Sequence, residues 1–363
     1  MRASISRTAL LALLSIHEAA RAEAPQLYGR LNLGLEQMQV HGGDGAVDAH
    51  QARLSNYRSV FGLRGSEDLG AGLRLLYQIE GTLSLDSGAG ALAARDTRIG
   101  IEGHWGTLFG GNWTTPYNAS SATLDPFYPT TAGYMSIMGN GSAASADNVS
   151  DTSSFDRRQR NSVHYWSPAW HGVSLRLARG MSEERAAGGA RPALTSSALQ
   201  FERGPLYLAL AYERHDNYRA PGWDDYGVKL AGSYAFAWVK LAGAVERLHY
   251  DGPGSALERT AYYLALTHQS GPHGLRFGIA KAGDGKGGIA GQRIGFITSG
   301  SDSGGVHATL GYDYALSKRS SVFAFYTRLR NERRGAIDFA INGVDGGAGA
   351  TAAGTVLGMR HAF

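Results

Sequence analysis

From Leu27 onward, apolar and polar positions alternate along the chain with a period of two. Leu27, Gly29, Leu31, Leu33 and Leu35 share one face of a strand, and Tyr28, Arg30, Asn32, Gly34 and Glu36 share the other. The next segment sets Tyr57, Phe61 and Leu63 on the apolar face, opposite Asn56, Arg58 and Arg64. A turn over 66–70 then leads into Leu73, Leu75, Tyr77 and Ile79 against Arg74, Gln78 and Glu80. Charges alternating with Leu and Tyr suit strands whose outer face meets lipid and whose inner face is wet. The pattern predicts sixteen strands, near 27–40, 53–66, 71–84, 95–103, 106–112, 159–168, 172–181, 194–203, 205–215, 224–236, 238–250, 258–270, 274–283, 304–317, 320–331 and 352–363. An even number lets the first and last strands pair antiparallel, as closure of a single-chain barrel requires. The last strand puts Leu357, Met359, His361 and Phe363 on one face and Val356, Gly358, Arg360 and Ala362 on the other. Its terminal ring is expected at a membrane interface, with the carboxylate beside the mature N-terminus.

Connections alternate in length. Short ones at 67–70, 104–105, 169–171, 204, 237, 271–273 and 318–319 separate long ones at 41–52, 85–94, 182–193, 216–223, 251–257, 284–303 and 332–351. That rhythm predicts turns on one rim of a barrel and loops on the other. The segment Trp113 to Arg158 stands apart: it lacks sustained alternation yet carries Pro116, Pro126, Phe127, Pro129, Tyr128, Tyr134 and Met135. So many apolar anchors in so long a connection predict a loop folded into the lumen.

Composition agrees. Gly is abundant at 51 residues, Pro scarce at 10, and hydrophobic residues make up 43% of the chain, an average that fits lipid outside and water inside. There is no Cys, which removes disulfides, thiolate nucleophiles and Cys-based zinc sites together. Arg2 and Arg7, the apolar run 8–16 and Ala20-Arg21-Ala22 read as an export signal over 1–22, leaving 23–363 as the barrel; Ala22-Glu23-Ala24 is a competing cleavage site. No other stretch approaches the apolar length of a membrane helix, so spanning falls to strands. Removing residues 1–22 takes three Arg and Glu18 with it and lowers the formal charge from +4 to +2. The remaining basic residues are scattered, which argues against a nucleic-acid partner.

Several stretches carry a resemblance. Leu27-Tyr28-Gly29 opens the first strand, and Phe61-Gly62-Leu63-Arg64-Gly65-Ser66-Glu67-Asp68-Leu69-Gly70 reaches the first turn. Thr115-Pro116-Tyr117 and Leu124-Asp125-Pro126-Phe127 lie in the long loop. Arg160-Asn161-Ser162-Val163 with Tyr165 and Ser167-Pro168 follows it, and Gly358-Met359-Arg360-His361 precedes the terminal Phe363. In this order they resemble the general diffusion porins of Gram-negative bacteria, most closely the neisserial and β-proteobacterial trimeric porins. The resemblance implies an all-β fold, a 16-stranded antiparallel transmembrane barrel in the outer membrane, forming a homotrimer, with loop 113–158 narrowing the pore. In that family a Gly-Arg-Gln triplet leads into the loop; here it is Gly110-Gly111-Asn112, without the basic group.

Other chemistry finds little support. The twelve His show no HExxH or HxH spacing, so no metal is expected. Gly283-Asp284-Gly285-Lys286-Gly287-Gly288 matches a dinucleotide fingerprint by letter, with no helix following, so no cofactor is expected. An outer-membrane hydrolase would need a Ser, a His and an orienting group on the barrel wall, and lipid-facing positions offer no such set; an adhesin barrel would lack the inward loop. The expected function is passive diffusion of small hydrophilic solutes and ions, with a saturable site for one solute as the alternative. By strand parity Arg30, Arg58, Arg74, Arg98 and Arg160 form an inward basic wall, Asp125 is the facing carboxylate of the loop, and Glu80 and Glu102 are inward acids nearer the wall. Five basic groups against fewer acids predict mild anion selectivity. The expected partners are outer-membrane lipids and small hydrophilic solutes and anions.

Overall fold

A computed structural model gives the architecture and describes residues 21–43, 49–184 and 189–363. The expected export signal, apart from its last two residues, lies outside the described residues. Among the described residues, sixteen strands close into one antiparallel barrel. They are β1 (Gln26–His41), β2 (Ala49–Asn56, resuming as Ser59–Gly70), β3 (Leu73–Leu83), β4 (Thr97–Gly103), β5 (Gly106–Thr114), β6 (Arg157–Trp166), β7 (Val173–Gly180) and β8 (Ala193–Arg203). The second half comprises β9 (Leu206–Asp216), β10 (Asp224–Ala235), β11 (Lys240–Tyr250), β12 (Leu257–Ser270), β13 (His273–Ala282), β14 (Gly305–Ala315), β15 (Ser320–Asn331) and β16 (Thr351–Ala362).

Each strand pairs with its neighbours in sequence, and β16 returns to β1, with Ala362 opposite Arg30 and Thr351 opposite His41. The seam extends one residue further. Gly29 N donates to the Phe363 main-chain oxygen at 3.0 Å, and Phe363 N donates to the Gly29 oxygen at 3.1 Å. Glu23, at the expected start of the mature chain, donates from its N to the Ser66 oxygen of β2 at 3.0 Å. The turn expected at 66–70 is still strand, because Ser66 and Asp68 pair with Leu76 and Arg74. The reversal falls at Ala71 and Gly72, whose φ of +51° and +76° suit a tight hairpin.

Parity holds along most strands. Leu27, Leu35, Leu210, Leu230, Leu310 and Leu357 are exposed on the outer wall, while Asn32, Glu36, Glu213 and Glu246 are buried inside. Trp170, Tyr234, Trp238, Tyr314 and Phe363 crown the turn-side ends of this apolar band, as aromatic girdles do at a membrane interface. Tyr57 departs from expectation. A bulge inserts one residue between the pairs Leu33–Asn56 and Arg30–Val60, with Arg58 left-handed at φ +51°, so Tyr57 turns inward and is fully buried.

The core lies inside the barrel. Inward positions on β10–β13 are small: Ala231, Ala242, Ala244, Ala261, Ala265, Ala280 and Ala282. Against them pack Leu124, Tyr134, Ile137 and Met138 of the connection between β5 and β6. Small residues on the wall leave room for this inner loop, which fills that side of the lumen with an apolar core of its own.

Candidate pore constriction

The inner loop is built from its first residue to stay inside. Helix α1 (Pro116–Ala122) follows β5 directly, its first turn set by Pro116 and its start capped by Thr115, whose hydroxyl accepts from Asn118 N at 3.3 Å. The Tyr117 hydroxyl donates to Glu246 on β11 at 2.9 Å, and Gly139 N donates to the other oxygen of the same carboxylate at 2.7 Å. Lys229 on β10 lies 3.2 Å from Glu246 and donates to the Ser121 hydroxyl at 3.1 Å. Across the lumen, Glu36 on β1 accepts from Arg53 at 2.6 Å, from Tyr57 at 2.7 Å and from Thr131 of the loop at 2.5 Å. Two buried carboxylates therefore latch the loop, Glu246 at Tyr117 and Gly139, and Glu36 at Thr131 between them. Each is stable there only because its oxygens are fully bonded.

Between the latches the loop faces a basic wall. Arg58 donates to the Tyr128 hydroxyl at 3.1 Å and to the Ser142 hydroxyl, and Arg30 donates to the Arg58 main-chain oxygen at 3.1 Å. Ser142 in turn donates to Asp156 at 3.2 Å. Behind them two pairs are closed: Arg95 with Glu80 at 3.0 Å and Arg158 with Asp96 at 2.7 Å. Arg360 of β16 and Arg276 of β13 border a small cavity beside Phe127, Tyr128 and Thr130. Arg276 is bound to Asp313 and to the Pro126 carbonyl. The paired charges cancel, which leaves Arg30, Arg58 and Arg360 facing the loop without an ion pair among the described residues.

The residues singled out from sequence divide into three groups. Arg30, Arg58 and Glu80 come together here, Glu80 also accepting from the Tyr28 hydroxyl at 3.0 Å. Arg98 points inward but is enclosed by the rings of Phe109, Trp113 and Trp166, at 4.7, 4.4 and 5.1 Å. Arg74 and Glu102 pair with each other at 3.5 Å close to the turn rim. Arg160 sits in the bulge between Gln159 and Ser162, where alternation breaks; it is exposed and donates to Ser145 of the inner loop at 3.2 Å. Asp125 does not face the arginines. It is buried within the loop, accepting from Tyr134 N at 2.7 Å, Phe127 N at 3.0 Å and the Tyr263 hydroxyl at 2.8 Å, and burial pushes its carboxyl up to about 6. The acid behind Arg58 is Asp156.

Sequence reasoning passed over Arg95, Arg158, Asp156, Tyr128 and Arg360. For Arg360 the signal was present, since parity already set it on the inner face; the others sit at strand ends or in the loop, where no parity operates. Gly111, in the position of the family's Arg, has φ +153°, and a Cβ there would lie 2.1 Å from the Thr97 carbonyl oxygen. Backbone closeness between β4 and β5 excludes a side chain at that point. Asn112 instead donates to the Arg95 main-chain oxygen at 3.1 Å and to Ser145 at 2.9 Å.

Comparison with known proteins follows the same lines. A family model described as Gram-negative porin matches residues 8–334. Outer membrane porin protein 32 of Delftia acidovorans is 26% identical over 367 residues, covering 97% of this chain and 98% of its own. An outer membrane porin of Bordetella pertussis is 28% identical over 388 residues, covering 91% and 95%. Among solved structures, an anion-selective porin from Comamonas acidovorans has a TM-score of 0.78 at 24% identity, covering 94% of this chain and 99% of its own. The trimer form of OmpT from Vibrio cholerae has a TM-score of 0.66 at 15% identity, covering 95% and 100%. With its sixteen-strand barrel, its inward third long loop and a family match over most of its length, the chain belongs to the Gram-negative porin family.

Proposed function

We propose that the protein is an outer-membrane pore through which small hydrophilic solutes and ions diffuse passively, with a mild preference for anions. The observation that carries the anion preference is the set of Arg30, Arg58 and Arg360, which face the inner loop without ion-pair partners. Unbalanced positive charge beside a narrow aqueous passage concentrates anions and repels cations. The relative from Comamonas, named as anion-selective, supports the same sign. Arg30 and Arg58 on the wall, together with Tyr128 and Ser142 on the loop to which Arg58 is bonded, border the constriction. Arg74, Glu102 and Arg160 stand away from it. The protein acts as a channel, not as an enzyme.

The test is a planar bilayer with a salt gradient. Reconstituted protein conducts, and its zero-current potential takes the sign of anion preference. Folded, heat-modifiable protein that fails to conduct refutes the pore, and a cation-selective potential refutes the assignment of the basic wall.

A homotrimer is part of the same proposal. The outer faces of β1, β2 and β14–β16 form an apolar concavity of about 550 Å³ lined by Leu33, Leu35, Leu54, Tyr312, Leu357 and Met359. A broad apolar surface of this kind suits contact with another copy. Unheated gel mobility at the monomer position would refute it.

A further inference from the structure

We propose that the outer face of β13–β15, at its loop-side end, binds the phosphates of an anionic lipid headgroup in the loop-side leaflet. Lys281 of β13 and Arg330 of β15 both lie opposite Val306 of the strand between them. Two strand spacings separate them by about 10 Å. Arg328 is two residues along β15 from Arg330, about 7 Å away on the same face. All three side chains are exposed, and none has a hydrogen bond or ion pair among the described residues. Their cross-strand neighbours are Tyr262, Val306 and Thr351 around the first row, and Ala308 and Ala353 around Arg328. No carboxylate faces them from any adjoining strand.

Three other arginines near this rim are handled differently. Arg214 is held by Asp216 at 2.5 Å and Asp224 at 2.7 Å, Arg179 by Asp216 at 3.5 Å, and Arg247 by Glu258 at 2.6 Å. The trio on β13–β15 has no such carboxylate partner among the described residues. Directly below it Leu264, Leu310 and Tyr326 are exposed on the apolar band, so acyl chains would lie against these residues while phosphate meets the cations. A cation at the boundary of hydrocarbon and headgroup, without an internal partner, draws a membrane anion. Free phosphate shares the charge but not the apolar seat, and the lipid is therefore the occupant. This inference rests on the outer-membrane reading, which conductance tests separately.

The experiment uses the whole protein in detergent, titrated with lipid A, a diphosphorylated glucosamine lipid, and with its dephosphorylated form, and read by native mass spectrometry. Wild type is expected to hold lipid A at least tenfold more tightly than the dephosphorylated form. Lys281→Gln/Arg328→Gln/Arg330→Gln is expected to lose that advantage while Arg214→Gln/Arg247→Gln keeps it, and inorganic phosphate is not expected to compete at equal concentration. Unchanged conductance and heat-modifiability in the triple variant show that the barrel is intact. If the triple variant fails to fold, Arg330→Gln alone is expected to weaken lipid A binding about threefold. Equal binding of the two lipids, or undiminished binding by the variants, overturns the proposal. So does a triple variant that keeps the lipid but loses its oligomer on an unheated gel, since the face would then be a subunit contact.

Discussion

The Arg58 guanidinium donates to the Tyr128 hydroxyl at 3.1 Å, so the barrel wall and the loop inside it meet at a positive charge. Arg58 owes that position to the left-handed bulge that also turns Tyr57 inward. One unit charge about 7 Å from a permeating ion, in water, amounts to about 0.6 kcal/mol, favourable for an anion and unfavourable for a cation, or about sevenfold in the ratio of their permeabilities. Arg58→Ser is expected to lower the anion-to-cation permeability ratio by that factor and to raise conductance by widening the gap. Arg74→Ser, at the turn rim, is expected to leave both unchanged. The zero-current potential of the two variants decides between them, and an equal shift in both would remove Arg58 from the constriction.

The Glu246–Lys229 latch makes a second prediction. Glu246→Ala leaves Lys229 buried without its counter-charge and removes the acceptor of Tyr117 and Gly139, a loss of about 3–5 kcal/mol. The inner loop should then detach from β10 and β11, giving larger, noisier channels and faster proteolysis within 115–156. Glu246→Leu combined with Lys229→Met, which buries no lone charge, should be less damaging than Glu246→Ala. Quiet single-channel records from Glu246→Ala would count against the latch.

Gly111 gives a third. Restoring the family's Arg there forces a Cβ against the Thr97 carbonyl, in a backbone conformation that side chains disfavour. Gly111→Arg and Gly111→Ala alike should lower the heat-modification midpoint, because the clash begins at Cβ. A stable, more anion-selective Gly111→Arg would show that β4 and β5 yield easily at this point.

Asp125 supplies a pH dependence. Its carboxyl is pushed up to about 6 by burial, against about 4 in an unfolded chain. A raised value means that the folded state binds the proton more tightly, so the stability linked to it is full below about pH 4 and is lost as pH rises through about 6. Between pH 4 and pH 7 the heat-modification midpoint of the wild type should fall relative to that of Asp125→Asn. Parallel profiles for the two proteins would contradict this.

The strand count and the two faces were legible in the sequence, because lipid outside and water inside write themselves as a period of two. Leu357 and Met359 point out and Arg360 points in as the alternation requires. What alternation does not encode is an added residue. One bulge turned Tyr57 inward and another broke the alternation around Arg160, and neither carries a Gly or Pro to announce it. The docking side of the inner loop had a signal that went unread. Inward Ala at 242, 244, 261, 265, 280 and 282 marks the half of the wall that makes room, whereas the half bearing Arg30, Arg58 and Arg98 does not. Asp125 and Asp156 are both acids of the same loop, and only packing decides that the first is enclosed and the second stands behind Arg58.

The pairing of Gly29 with Phe363 joins positions that are almost a whole chain apart, and loop closure over that distance is entropically among the most demanding contacts in the molecule. The fourteen internal hairpins can form locally and early; this one has no local route. Until it forms, β1 and β16 present two rows of unsatisfied amides to hydrocarbon, where each costs several kcal/mol. Insertion and closure are therefore coupled steps, and a chain lacking β16 has no half-built state that a bilayer would tolerate.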